Sequence, residues 1–372
     1  MFQEKDFTFY RSIVNQVPSM NIVVIKERTR AIRQLLNKKN INCLILTKRA
    51  NVTYMTGFSG DDSWAVVTGR AIYLLTDSRY IEQAAGLREH CRIIQRNRPI
   101  IEAAAHLLNK LESVQTAGVE DSASLAVFKA LRRIVKGRLK TTANIVEQLR
   151  SSKDSGEIAA IRAAANIAAR ALGKTRQYIK PGVSENTLAG MLDFQIRKLR
   201  AVNSFDTIVA FGANASRPHH RCGSKKLKKN DTALIDFGVR YRGYCSDITR
   251  CFTVGRGSGF YKKVYEAVSS AQSAAIKTVK AGVKIRRVDA AARKVIAEHD
   301  LPVYGHGTGH GLGLEVHEEP TVSDKAKGKL KAGQVITIEP GVYIPGRLGV
   351  RIEDDVLVTK TGCEILSRNC PH

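Results

Sequence analysis

Four acidic residues stand in apolar company. Asp236 interrupts the run Ala-Leu-Ile-Asp-Phe-Gly-Val (233–239), and Asp247 follows eleven residues later. Glu339 and Glu353 sit in the same manner within QVITIEPGVYIPGRLGVRIEDDVLVT (334–359). A carboxylate on a buried strand is costly unless something compensates it. Each segment reads as strand, tight turn, strand. A turn at Tyr241-Arg242 sets Asp236 opposite Asp247, and a turn one step further along makes them diagonal neighbours on one face. A loop at Pro345–Arg347 sets Glu339 opposite Glu353. Like charges that close must share a proton or a cation. Taken singly, each acid reads as a satisfied core carboxylate or an edge position; the repetition in two hairpins is what points to a cation. Asp354 and Asp355 receive no role.

Between the hairpins lies GHGTGHGLGLEVHEEP (305–320). Alternate glycines put His306, Thr308 and His310 on the other face of an extended segment, and a bare face admits a second backbone or a substrate. On a straight strand the two histidines stand roughly 13 Å apart at ~3.3 Å per residue, so one ion holds both only if the segment bends. Four carboxylates and one imidazole suit a pair of divalent ions, Mn²⁺, Fe²⁺, Co²⁺ or Zn²⁺. Two such ions ~3.5–4 Å apart share bridging carboxylates and a hydroxide that attacks an amide carbonyl. A dinucleotide fingerprint, a P-loop lysine, an HExxH zinc motif and a Gly-x-Ser-x-Gly elbow are all absent.

The elements that must position these groups follow from periodicity. Residues 23–147 alternate helix and strand (IKERTRAIRQLLNKKN, NCLILTK, SWAVVTG, AIYLLTD, PIIEAAAHLLNKL, TAGVED, SLAVFKALRRIVKG), which predicts an α/β domain with a mixed sheet. Residues 148–372 open with a long alanine-rich helix and a second helix that Ser184 caps, followed by strands, helices near 259–281 and 285–299, and a glycine-rich last third. The order hints at a duplicated half, although no internal sequence repeat is evident. Residues 1–22 read as a disordered extension, with Met20 as an alternative start. The chain of 372 residues holds seven scattered cysteines without a C-x-x-C pair and lacks an N-terminal h-region, which places it as a reduced protein of the cytoplasm. No apolar run reaches the ~18 residues of a membrane span. Sixty Lys and Arg against 34 Asp and Glu give +26. With aromatics at 6% and no nucleic-acid module, that charge reads as solvated faces and not as a specific nucleic-acid surface.

Together PHH (218–220), LIDFGVRYRGYCSDITR (234–250), GHGTGHGLGLEVHEEP and ITIEPGVYIPGRLGVRIEDDVLVT resemble the metallopeptidase family of Xaa-Pro aminopeptidases, prolidases and methionine aminopeptidases. NVTYMTGFSG (51–60) and LLTDSRY (74–80) look like that family's creatinase/prolidase-type N-terminal domain. The resemblance implies an α+β pita-bread catalytic domain with a curved antiparallel sheet and flanking helices. It implies two divalent ions, Mn²⁺ foremost, on Asp236, Asp247, His310, Glu339 and Glu353, with Asp247 and Glu353 bridging. Glu339 would also take the proton of the attacking water. His219 would move a proton or stabilise the tetrahedral intermediate, and His317 would bond the substrate near the scissile carbonyl. His306 resembles a substrate-pocket residue, and Arg351 would orient Glu353 or meet a substrate carboxylate. The implied activity is removal of the N-terminal residue before proline by a metal-bridging hydroxide, in a homodimer. A dipeptide-restricted prolidase, with Arg347 or Arg351 on the free carboxylate, is the alternative, and a non-catalytic peptidase-like binding protein a further one. Around His219 the pattern departs: Arg217 replaces a small or apolar residue, Cys222 a common proline, and Lys229-Asn230-Asp231 a Lys-x-Gly-Asp-like turn. These departures bear on substrate preference. His220 reads as a bystander.

Overall fold

The computed structural model describes residues 22–372. The extension expected over 1–22, up to residue 21, lies outside the described residues, as does Met20. Two compact units divide between Arg150 and Ser151.

In the first unit, short apolar runs make a six-stranded sheet. Its strands are β1 (Cys43–Leu46), β2 (Trp64–Thr68), β3 (Ile72–Thr76), β4 (Arg92–Gln95), β5 (Thr116–Glu120) and β6 (Arg138–Thr142), in the order β4-β3-β2-β1-β5-β6. β1–β2 and β2–β3 pair antiparallel and the other three contacts are parallel, so the sheet is mixed. β1, β2 and β3 are buried at every position, as strands covered on both faces must be. Around them run α1 (Ile22–Lys38), α2 (Arg49–Thr56), α3 (Ile81–Ala85), α4 (Ile100–Lys110), α5 (Leu125–Ile134) and α6 (Ile145–Arg150).

The second unit begins with α7 (Ser155–Thr175), started by a capping box between Asp154 and Glu157. α8 (Glu185–Lys198) follows, and the Ser184 hydroxyl accepts from the Thr187 amide as expected of a cap. α9 (Gly259–Thr278) and α10 (Ile285–Glu298) form a second helix pair. The duplication hinted at by element order is present in the backbone. Gly182 donates to Leu227 O, and Gly282 to Leu330 O; Ser184 bridges Lys226, and Lys284 bridges Lys329. Arg200 and Asp300 both end their helices at left-handed φ, 60° and 55°. The helix-side positions recur at a spacing of one hundred residues, yet the two helical stretches share little beyond Lys-x-Gly-Val, so packing and not identity carries the repeat.

Every strand pairing in this unit is antiparallel. The strands are β7 (Val202–Asn203), β8 (Ile208–Phe211), β9 (Thr232–Phe237), β10 (Val239–Tyr241), β11 (Tyr244–Cys245), β12 (Ile248–Thr253), β13 (Gly309–Gly311), β14 (Glu318–Val322), β15 (Val335–Ile338), β16 (Gly341–Ile344), β17 (Leu348–Arg351), β18 (Asp354–Val358) and β19 (Cys363–Ile365). They group into β11-β10-β7, β12-β9-β8, β14-β13-β15-β18-β19 and β16-β17. Two cores flank them. α7 and α8 bury Ala164, Ala168, Leu188 and Leu192 against Ile235, Phe237 and Val239. α9 and α10 bury Val264, Ala271, Val288 and Ile296 against Ile336, Ile338, Val350 and Ile352. Alanine on the inner face of α7 lets the helix lie close to the sheet.

Candidate active site

Both hairpins are interrupted beside their acids: Asp247, Glu339 and Glu353 fall in gaps of the ladder, and Asp236 lies within β9 two residues before one. The first turns at Arg242-Gly243, both with positive φ (49° and 83°), as a two-residue hairpin turn requires. Tyr241 then faces Tyr244 and Asp236 faces Thr249, which carries Asp247 across from Gly238. The two aspartates are therefore diagonal neighbours, the second of the two registers that the sequence allows. The ladder breaks at Gly238, between β9 and β10. A β-carbon there would stand 2.2 Å from Ser246 O, so only glycine lets the returning chain pass this close. In the second hairpin Ile338 pairs with Asp354 and Gly341 with Arg351, so the register sets Glu339 against Glu353 across the break. Pro340 lacks the N–H that would continue β15 into β16.

The histidine segment is not one long strand. Its histidine-bearing part pairs only over Gly309–Gly311, with a bulge, against β14, and its glycine face meets backbone: β-carbons at 309 and 311 would lie 1.9 Å from Thr337 O and 2.2 Å from Glu319 O. The close approach left open from sequence is thus made by neighbouring strands. His310 Nδ1 bonds Gly311 O at 3.0 Å, which leaves Nε2 facing the acids, 3.6 Å from Asp247 Oδ2 and 3.5 Å from Glu339 Oε1. His317 stands edge-on to His310, ring centroids 4.4 Å apart. His306 lies apart from this cluster, bonded to Tyr343 Oη at 3.0 Å.

Arg351 meets Asp236 and not Glu353. Its Nη2 lies 2.6 Å from Asp236 Oδ2, its Nη1 donates to Tyr343 Oη at 2.9 Å, and its Nε donates to Thr249 Oγ1 at 3.1 Å. Thr249 in turn donates to Glu353 Oε2 at 2.6 Å, so Arg351 reaches that glutamate only through the hydroxyl. Behind the ligand strands, the Asp247 amide donates to the Asp355 carboxylate at 3.2 Å. Arg250 ties Glu353 O (2.6 Å) to Asp354 (2.7 Å). Asp354 and Asp355, given no role from sequence, thus brace the main chain on which Asp247 and Glu353 sit. Thr249, Tyr343 and this brace carry no periodic or motif signal, since their partners lie eight to 108 residues away.

Burial and mutual repulsion govern the electrostatics. Desolvation, then Glu353 and Asp236, pushes the Asp247 carboxyl well above its usual range. Desolvation, Glu339 and Asp236 do the same for Glu353, and burial takes Glu339 up to about 7. Burial pushes His310 down to about 4, which favours the neutral ring that ligation of a cation requires. The residues fit divalent cations. Ligand atoms of Asp247, His310 and Glu353 lie within 4.8 Å of one another, and Asp236 Oδ1 is buried without a hydrogen-bond partner. Hard carboxylate oxygens with one imidazole suit such ions.

All five candidate ligands line one cleft of about 1170 Å³, together with His219, His306, His317 and Arg351. Phe205, Arg221, Cys222 and Glu319 line it as well. No helix among the described residues is long and apolar enough to cross a membrane.

Comparison with known proteins agrees with this geometry. Residues 159–360 match the family model of Metallopeptidase family M24, and residues 28–152 match the Creatinase/Prolidase N-terminal domain. A Xaa-Pro dipeptidase of Pyrococcus horikoshii is 32% identical over 350 residues, 93% of this chain and 98% of that protein. The structure of a Xaa-Pro dipeptidase from Bacillus anthracis superposes with a TM-score of 0.90 at 36% identity, over 92% of this chain and 98% of that one. An X-Pro aminopeptidase from Thermotoga maritima gives 0.83 at 35%, over 91% and 97%. With both domains matched, and acids and histidine gathered in one cleft, the chain belongs to metallopeptidase family M24, the pita-bread Xaa-Pro peptidases.

Proposed function

We propose that the protein is an exopeptidase that removes the residue preceding proline from a peptide N-terminus. Two divalent ions, Mn²⁺ foremost, would be held by Asp236, Asp247, His310, Glu339 and Glu353, with Asp247 and Glu353 between them. The observation that carries this reading is the convergence of five buried or half-buried ligand side chains on one cleft, with Asp236 Oδ1 unpartnered. Divalent ions there lower the pKa of water and polarise a carbonyl.

The chain's own groups account for the remaining chemistry. Glu339 Oε1, 3.5 Å from His310 Nε2, takes the proton of the attacking water and delivers it to the leaving proline nitrogen. That nitrogen carries no hydrogen in the peptide and must gain one to leave. His219, exposed in the cleft, stabilises the charge that develops on the carbonyl oxygen, and His317 bonds the substrate beside it. Arg351 holds Asp236, and His306 with Tyr343 forms the wall of the pocket.

Acceptance of peptides longer than two residues is favoured by Arg351, which is 3% exposed and wholly engaged. Arg347 packs over Phe260, 4.6 Å from the ring centroid, and is not among the cleft residues. Neither arginine is free for a dipeptide's carboxylate. Arg221, exposed in the cleft, is what favours the second reading, a dipeptide-restricted prolidase. Metal-loaded protein is expected to cleave Xaa-Pro and Xaa-Pro-Xaa peptides. Cleavage of the dipeptide alone establishes the prolidase, and no cleavage with Mn²⁺, Co²⁺, Zn²⁺ or Fe²⁺ removes both readings. We further place it as a homodimer in the reducing cytoplasm. Its seven free cysteines accord with that compartment, and light scattering reads the dimer.

A further inference from the structure

The loop that carries His219 is held by Glu185, His220, Arg217 and Cys222, of which Arg217 and Cys222 depart from the family pattern. Glu185, in the first turn of α8, is fully buried. Its Oε1 accepts from the Phe211 amide at 2.9 Å and from Asn214 Nδ2 at 2.7 Å. Its Oε2 accepts from His220 Nε2 at 2.9 Å and from the Gly223 amide at 3.0 Å. A carboxylate has about four acceptor sites, and here all are filled. The neighbours of His219 complete the frame. Arg217 Nη2 donates to Asn214 Oδ1 at 2.7 Å. Cys222 behaves as an extra rung on β8: its sulfur accepts from the Val209 amide at 3.1 Å and donates to Thr207 O at 3.2 Å. Main-chain bonds from Glu185 to Lys225 O and from Asn186 to Gly223 O anchor the far end. His219 itself makes no side-chain hydrogen bond among the described residues, so its ring is carried into the cleft by the loop backbone and its own rotamer.

We infer that Glu185, His220 and Cys222 form a clamp that positions His219 for the reaction. His220 is thereby a positioning residue and not a bystander, and Arg217 and Cys222 serve the loop's placement and not substrate preference. Residues 217 to 223 lie between two fixed ends, one at Asn214 and one at Gly223. Without the ring of His220 the span loses its middle attachment, and Glu185 keeps a buried, partly unpaired oxygen. The inference rests on the catalytic role proposed for His219.

A double-mutant cycle on the full chain loaded with Mn²⁺ tests it. His220→Ala is expected to lower kcat for an Xaa-Pro peptide by about 10- to 100-fold, the scale of a small misplacement, with KM and bound metal unchanged. His220→Gln, whose amide can donate to Glu185, is expected to restore kcat. In a His219→Ala background the His220→Ala change is expected to cost nothing further. An equal loss in both backgrounds overturns the clamp, as does a loss that follows metal content. Cys222→Ala, which removes the sulfur bonds without adding bulk, is the second variant and is expected to show the same pattern. If the wild-type chain cleaves no such peptide, the proposed activity fails separately, and amide exchange judges the clamp. Faster exchange at Phe211 and Gly223 in His220→Ala, but not in His220→Gln, supports it; unchanged exchange overturns it.

Discussion

Asp247 sits where the demands on a single side chain are greatest. It is buried, faces Glu353, Asp236 and Glu339, and has only its backbone amide committed elsewhere, to Asp355. Asn in its place keeps the shape and removes the charge that two cations would share. Asp247→Asn is therefore expected to lose both ions, read by elemental analysis of the dialysed protein, and at least about 10³-fold in kcat. Arg351 makes the opposite contribution, a buried cation beside Asp236, Glu339 and Glu353. Breaking such a pair strands the partner charge, so Arg351→Met is expected to destabilise the chelator-treated protein by about 3–5 kcal/mol in urea titration. Adding Mn²⁺ should recover part of that loss, because the cations take over the neutralisation of Asp236. The acids and His310 were legible from type, spacing and apolar context. The choice of Asp236 as the partner of Arg351 was not, since a side chain two positions from Glu353 gives no sign of reaching across to another hairpin.

Among the elements, it is the interrupted hairpin that aims the ligands. The register is the same on either side of the breaks at Gly238 and Pro340, so each hairpin keeps its two acids on neighbouring positions even where the ladder is open. Gly238→Ala forces a methyl onto Ser246 O and the Ser204 hydroxyl, and is expected to cost about 1–3 kcal/mol or more, together with most of the activity. Both turn positions lay within reach of the sequence, and the Glu339/Glu353 register followed from the loop alone. The α8 N-terminus was visible as Ser184, but the task of Glu185 beside it was hidden, because its four donors come from 26 to 38 residues downstream. That carboxyl also has a pH signature. Burial alone would raise it, but His220 and the other donors outweigh burial and hold it below its ordinary 4.5. A depressed acid contributes stability that is complete above its unfolded value and is lost as pH falls through its folded value. Glu185→Gln is therefore expected to flatten the acid limb of the stability curve below pH 4.5, measured by denaturant midpoints.

For the whole molecule, the two units have separate hydrophobic cores, one built on β1, β2, β3 and β5 and the others on α7 to α10 with their strands. Separate cores permit separate unfolding, and all five candidate ligands belong to residues 151–372. Scanning calorimetry is expected to resolve two transitions. Mn²⁺ at 100 times its dissociation constant should stabilise only the unit holding the ligands, by about 2.7 kcal/mol. A single transition shifted as a whole would show that the units unfold together. The alternating helix and strand of the first unit was legible because each run has its own period. The repeat in the second unit was legible only as an order of elements, because the helices between its recurring turns and backbone bonds share few residues. That repeat has a consequence for assembly of the cleft. One half contributes Asp236 and Asp247, the other His310, Glu339 and Glu353, so the full set of five comes together only where both halves have folded. Loosening either half is felt at the side chains of the other, because each set of acids finds its counterpart across the cleft and not along its own stretch of chain.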